Sequence, residues 1–415
     1  MLVYVLNKYG KPLMPCKSAK ARHLLRDGKA KVIRTEPFII QLLYGSSGYK
    51  QDITLGVDAG SKHVGLSATT DKKELYASDT ELRSDIVNNL ATRKQYRKSR
   101  RNRKTRYRQP KFLNRVHTKK KGWVAPSIEN KIQTHLKLIH DAHKILPITK
   151  IVVETASFDI QKIQNPNITG AEYQQGDQLG FWNVREYVLF RDEYTCQYCK
   201  GKSKDKILNI HHIQSRKIGG NAPNNLLTLC KTCHKKYHNK EIELNIKRGQ
   251  SFKDATFMGI MRWTFYNRLK ELYQNVSMTF GYITKSTRIK CGLPKEHYID
   301  AYCITGNINA KMLDYYYFNK QVRKRNRQIH KAKVLKHGIK KLNQSPKYVF
   351  GFQLFDKVKF NGGSYYVFGR RKDGDFDVRD LCGNKLNKGH ISYKKLKIIE
   401  TRKCILTERR RRQKL

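Results

Sequence analysis

From Ile86 to Ile128 the chain carries no acidic residue, and within that stretch runs RKQYRKSRRNRKTRYRQ. Arg93, Arg97, Arg101, Lys104 and Arg108 fall three or four apart and line one helical face, while Arg100 and its neighbours cover the others. A helix that is cationic all round has no apolar stripe to lay on a core. It lies between segments that read as structured, so it is expected to be a helix threaded between nucleic-acid strands, ended by Pro110. The whole chain repeats the theme: 86 Lys and Arg against 33 Asp and Glu give a net charge of +53. Such a charge needs a polyanion, and nucleic acid supplies one through counterion release. A packaging protein without chemistry would carry the same charge, so charge alone does not separate enzyme from coat.

The opening MLVYVLNKYGKPLMP lacks the apolar centre of a signal peptide, and no run of about 18 apolar residues is present. A cytoplasmic protein is expected. Of nine cysteines, four form two CxxC pairs, Cys196/Cys199 and Cys230/Cys233, with thirty residues between the pairs. An odd count with paired spacing points to metal ligation in a reducing compartment rather than disulfides. Four thiolates make a closed tetrahedral Zn²⁺ site, structural because no position is left open.

Residues 1–50 read as strands around one helix, SAKARHLLRDG, with Ser18 as N-cap and Gly28 past its end. ITLGVDAG, HVGLSATT and ELYASDTEL read as three strands. SIENKIQTHLKLIHDAHKIL reads as a helix with Ile128, Ile132, Leu136 and Ile139 on its apolar face, and KIVVETASFD as a buried strand. FMGIMRWTFYNRLKELYQ is an amphipathic helix, SMTFGYITKSTRI is strand-like and KEHYIDAYCITG is helical. Residues 320–341 are a second basic run, the alternating segment after them suggests a small β-barrel, and the terminal RRRRQKL reads as a solvated or RNA-touching tail.

A second constellation is dispersed. Asp58 ends one apolar strand, Glu154 ends another, and His297 and Asp300 lie three apart on one helical face. Each alone is an ordinary cap or turn residue. Together they suit a two-metal phosphodiesterase, with two Mg²⁺ roughly 4 Å apart on attacking and leaving oxygens.

Between the CxxC pairs stands His211–His212, and CHKKYH follows; this spacing resembles the ββα-metal nucleases known as HNH. That resemblance implies His211 and His234 as ligands of one Mg²⁺, His212 as general base and Asn225 as its support, with His238 left open as a further ligand. The order Asp, Glu, His-x-x-Asp resembles the RuvC branch of the RNase H fold, which makes Asp58, Glu154, His297 and Asp300 the metal-binding catalytic set. With KPLMP at 11–15, the whole chain resembles the IscB family, the transposon-associated RNA-guided (OMEGA) DNA endonucleases.

The implied architecture is a multi-domain α/β protein: an N-terminal PLMP module (1–52), a RuvC core split into 53–83, 126–180 and 246–310, an arginine-rich bridge helix (84–125), an inserted HNH domain with the zinc site (181–245) and a basic linker with β-barrel (311–415). The implied function is cleavage of double-stranded DNA beside a short adjacent motif. HNH would cut the guide-paired strand and RuvC the displaced one, in a monomeric ribonucleoprotein with a guide RNA held partly by Arg93, Arg97, Arg100, Arg101, Lys104 and Arg108. The competing expectations are a junction resolvase or a homing or restriction-type nuclease that reads DNA without RNA, and an RNA-binding protein with vestigial sites.

Overall fold

The computed structural model describes residues 2–46, 48–102, 124–155, 183–215, 220–246, 249, 253–324, 337 and 346–412. The chain divides into two units, one of residues 1–156 with 260–415, the other of residues 157–259. In the first, β1 (Leu2–Leu6), β2 (Cys16–Lys17), β3 (Ala30–Arg34) and β4 (Ile39–Leu42) make a sheet in the order β2-β1-β4-β3, covered by α1 (Ser18–Arg26). Val3, Val5, Ala21, Ile40 and Leu42 form its core. The N-cap of α1 is Lys17, with no side-chain cap, rather than the expected Ser18, which is already helical. Gly28 follows the helix at φ +66, the left-handed turn that glycine adopts without strain.

The next three apolar runs form an antiparallel meander, β5 (Thr54–Ala59), β6 (His63–Thr69) and β7 (Glu74–Glu81), buried along most of its length. After α2 (Ile86–Asn102) and α3 (Pro126–His143), β8 (Lys150–Glu154) joins β5 in parallel. A parallel neighbour requires such a crossover. On α3 the buried face holds Ile132, His135, Leu138 and Ile139, while Ile128 and Leu136 are half-buried, so the stripe is rotated from the sequence expectation.

The second unit contains α4 (Val184–Arg191), β9 (Leu208–His212), β10 (Leu226–Cys230) and α5 (Lys231–His238). Asn183 caps α4 by accepting a hydrogen bond from the Glu186 amide. The antiparallel β9–β10 pair encloses a small core of Leu227, Leu229, Cys196, Cys230 and Cys233.

Helix α6 (Lys253–Leu272) leads back to the first unit, where β11 (Val276–Thr279) pairs in parallel with β8. The strand expected over SMTFGYITKSTRI stops there, because Gly281–Lys290 is helix α7; only its first three residues, Ser277–Thr279, enter the sheet. Helix α8 (His297–Ile304) and β12 (Tyr315–Gln321) follow. The C-terminal aromatic segments, β13 (Lys357–Phe360), β14 (Gly363–Arg370), β15 (Asp375–Arg379), β16 (Ile391–Ser392) and β17 (Lys397–Glu400), make an antiparallel sheet in the open order β16-β15-β14-β13-β17 where a barrel was expected.

Of the terminal RRRRQKL, Arg409, Arg410 and Arg411 are not a loose tail but the end of β18 (Ile405–Arg411), which completes a seven-stranded sheet, β11-β8-β5-β6-β7-β12-β18; Arg412 follows it, and residues 413–415 lie outside the described residues. Leu406, Glu408 and Arg410 share one face of this strand: Leu406 packs in a buried cluster with Phe318, while the Arg410 guanidinium pairs with Glu408 and lies over the face of Phe318 at 3.7 Å.

Candidate metal centres

Strand register collects the first centre. A transverse row across the seven-stranded sheet reads Thr279, Glu154, Asp58, Gly65, Asp79, Phe318. Directly opposed residues project from one face, so Glu154 and Asp58 stand side by side there. Helix α8 lies on the sheet because the strands beneath it carry glycine. A Cβ on Gly56 would meet the Ala301 carbonyl oxygen at 2.0 Å, and one on Gly65 would meet the His297 carbonyl oxygen at 1.9 Å. His297 and Asp300, one helical turn apart, are thereby brought to the strand ends. His297 Nδ1 lies 2.6 Å from Asp58 Oδ2, and Asp300 pairs with Arg288 of α7 at 2.9 Å. Gly281, the first residue of α7, leaves room for Glu154: a Cβ there would stand 2.9 Å from Glu154 Oε1.

The electrostatics fit a cation site. Burial, reinforced by the Asp58 and Asp300 charges, pushes Glu154 up to about 7. Burial and then Asp58 raise Asp300 in the same way. The hydrogen bond to Asp58 holds His297 above the usual imidazole range. Carboxylates crowded enough to raise one another's proton affinity are an oxygen set suited to a hard divalent ion.

In the second unit Cys196, Cys199, Cys230 and Cys233 converge with all four sulfurs within 4.8 Å, and Cys199 Sγ lies 3.9 Å from Cys230 Sγ. Cys230 also caps α5, its sulfur accepting the Cys233 amide at 3.4 Å. Burial works to raise the Cys199 thiol, but hydrogen bonding with Ser203 outweighs it and brings it down to about 6; burial raises Cys196 and Cys233. The cluster is compatible with structural zinc.

A strand sends adjacent side chains to opposite faces. His211 is accordingly buried against α5 and His212 half-exposed on the other side. His211, His234 and His238 bring a nitrogen each within 4.8 Å of one another, and the Nε2 atoms of His234 and His238 are 3.3 Å apart. His211 Nε2 is buried with no hydrogen-bond partner. Burial, then the neighbouring imidazoles, bring His211 down to about 4, and burial lowers His234, so both offer lone pairs at neutral pH. An orphaned buried nitrogen facing two more imidazoles fits a metal ion, and His238 stands in the set on the same terms as the expected His211 and His234.

Asn225 departs from expectation. It is fully buried, but its amide does not reach His212: Oδ1 accepts the Gln214 amide at 2.8 Å, and Nδ2 donates to the Gln214 and Gly220 carbonyls at 2.9 and 3.0 Å. It pins the ends of the connection after β9. The residue in contact with His212 is Asn221, whose Oδ1 is 3.1 Å from Nε2. Nothing in the spacing distinguished Asn221 from its neighbours in GGNAPNN. In the arginine-rich segment, Arg93 and Arg97 are exposed on α2; Arg100 and Arg101 lie on its backbone, while Lys104 and Arg108 lie outside the described residues.

Residues 3–176 match the family described as RRXRR protein, and residues 196–240 match HNH endonuclease. The second match holds the four cysteines together with His211, His212, His234 and His238, and it supports a nuclease. Anaredoxin of Nostoc sp. (strain PCC 7120 / SAG 25.82 / UTEX 2576) is 39% identical over 67 residues, 16% of this chain and 84% of anaredoxin. Among solved structures, Streptococcus thermophilus Cas9 in complex with the GGAA PAM aligns at TM-score 0.32 and 13% identity over 52% of this chain and 31% of that one. The Type II-C Cas9 from Actinomyces naeslundii aligns at 0.26 and 12% over 62% and 60%. This chain thus spans about a third of the Streptococcus thermophilus Cas9 that it matches. Among the described residues, no helix is long and apolar enough to cross a membrane.

Proposed function

We propose that the protein is an RNA-guided DNA endonuclease of the IscB type with two independent cutting centres, a RuvC-like one on the seven-stranded sheet and an HNH one in the second unit. The observation that carries the two-centre reading is the row that sets Asp58 beside Glu154, with His297 and Asp300 delivered onto it by α8. The support for RNA is the acid-free cationic run that begins with α2, in a chain of net charge +53.

Divalent ions would be held at the first centre by Asp58, Glu154, Asp300 and His297, where they would polarise the phosphodiester and lower the pKa of water. Oxygen donors there favour Mg²⁺. At the HNH centre the three imidazoles of His211, His234 and His238 are nitrogen donors, which favours a transition-metal ion over the Mg²⁺ suggested by resemblance. Bonding of His212 Nε2–H to Asn221 leaves Nδ1 with the lone pair, the nitrogen that would take the proton of the attacking water. Asn225 acts one step back, by fixing the loop that carries Asn221.

The test is cleavage of a supercoiled plasmid target by the purified ribonucleoprotein and its variants. His212→Ala leaves a nickase for the displaced strand and Asp58→Ala one for the paired strand, each losing its own cut by ~10²–10⁴. Loss of both cuts by either variant, at normal yield, would refute two independent centres. Efficient site-specific cutting by RNA-free protein would instead favour the junction-resolvase or restriction-type reading.

A further inference from the structure

A second histidine–aspartate pair stands beside the first. His63 precedes Gly65 by two residues on β6, so both face the side of the sheet that carries Asp58. Asp79 follows Gly65 in the transverse row, and its Oδ1 lies 3.1 Å from His63 Nδ1. Gly65 leaves a gap in that row, and the backbone of His297 fills it. The imidazoles of His63 and His297 consequently stack, with centroids 5.0 Å apart and planes inclined by 5°. Two parallel rings result, each tied through Nδ1 to its own aspartate.

Resting on the RuvC-like reading of this centre, we propose that His63, anchored by Asp79, is a positioning residue for His297. Asp58 has two demands on its carboxylate, the His297 ring and the cation that the site is built to hold. A ring secured only by Asp58 would lose its constraint whenever that carboxylate turned to the cation. His63 and Asp79 have no such second task. Their stack fixes the plane of His297 whichever partner Asp58 engages, and with it the direction of Nε2, the nitrogen that Asp58 does not hold. Misplacement of a reacting group by about 1 Å costs on the order of a hundredfold in rate, so a flat wall against this ring carries catalytic weight without touching substrate.

The experiment has two arms, both on the full chain with its RNA. In the first, nicking that depends on Asp58 is measured under single turnover. His63→Ala is expected to lower its rate about 10–100-fold with DNA affinity unchanged. The double variant His63→Phe/Asp79→Asn, which restores a flat ring and leaves no carboxylate unpaired, is expected to recover to within about threefold, and cutting that depends on His212 serves as internal control. In the second arm, histidine labelled with ¹³C at Cε1 reports the His297 resonance. It is expected to shift and broaden in His63→Ala and to sharpen again in the double variant, with melting temperatures recorded for all three. An unchanged His297 resonance in His63→Ala, or a double variant as slow as His63→Ala, would overturn the inference. A His297 resonance that responds to His63→Ala as expected, in a protein whose wild type shows no Asp58-dependent nicking, would refute the nuclease reading and leave the positioning intact.

Discussion

The two centres are built on opposite principles. The carboxylate centre draws residues from positions 58, 154, 297 and 300, and their geometry is set by strand register and by glycines that let α8 settle on the sheet. The sheet that carries it is backed on its other face by buried aliphatic side chains such as Leu55, Val57, Val64 and Val153, so the scaffold stands with or without an ion. The thiolate–imidazole unit draws its ligands from residues 196–238, around a core whose buried members are largely the cysteines themselves. On the proposed reading the ion there would belong to the core: one centre would be a fold that acquires a metal, and the other a metal that organises a fold.

The sharpest break between them is expected from Cys199→Ser. Structural zinc carries about 10–16 kcal/mol of apparent binding energy, so the variant should lose amide-exchange protection across residues 196–238 and retain it in β5–β8. Protection persisting in both would mean that the apolar core of the second unit suffices alone, and elemental analysis without zinc would say the same.

A pH titration of the metal-free protein separates them next. Glu154 is raised from 4.5 to about 7 in the fold, so the folded state holds a proton that the unfolded chain has released. Its contribution to stability is fully present below about pH 4.5 and is lost as pH rises through about 7, on the order of 2–3 kcal/mol. Chemical denaturation should show this slope in the first unit and its loss in Glu154→Gln. An equal slope in both proteins would remove Glu154 from the account. Added Mg²⁺ should stabilise more at pH 8 than at pH 5.

Gly65→Ala tests whether packing of α8 makes the first centre. Its Cβ would collide with the His297 carbonyl, backbone that cannot turn aside, and the cost should be about 1–3 kcal/mol together with loss of Asp58-dependent nicking. Normal nicking with an unshifted melting temperature would show that α8 rides free of β6. The smallest effect is expected from Asn225→Ala, about 1–2 kcal/mol confined to the second unit, from backbone groups left without partners. A calorimetric shift in the first unit would contradict the division.

Legibility followed the same contrast. The second unit declared itself, because closed metal sites demand fixed spacings that a reader can count. The acids of the first centre were visible only as strand ends. What joins them is long-range register, which no local pattern encodes, and the companion pair His63 and Asp79 shows the cost: HVGLS reads simply as a strand until its histidine is seen to stack on His297. Helix α7 read as strand because Tyr, Ile and Thr favour extended backbone, and tertiary packing of Gly281 against Glu154 overrode that preference. Likewise the basic terminal run read as solvated because a count of charges does not show that an arginine guanidinium can lie on an aromatic face, as those of Arg409 and Arg410 do on Tyr315 and Phe318.

That last strand carries a consequence for the order of events during synthesis. β12 emerges from the ribosome with β7 already available on one side, but the partner for its other edge, β18, lies beyond residue 404. At typical elongation rates the intervening stretch takes roughly 4–17 s to make, an interval in which the nascent sheet presents a bare row of amides and carbonyls. A nonsense codon or proteolytic nick just before Ile405 would therefore convert the protein into an open template for strand addition, with both candidate centres intact in sequence and the polypeptide lost to aggregation.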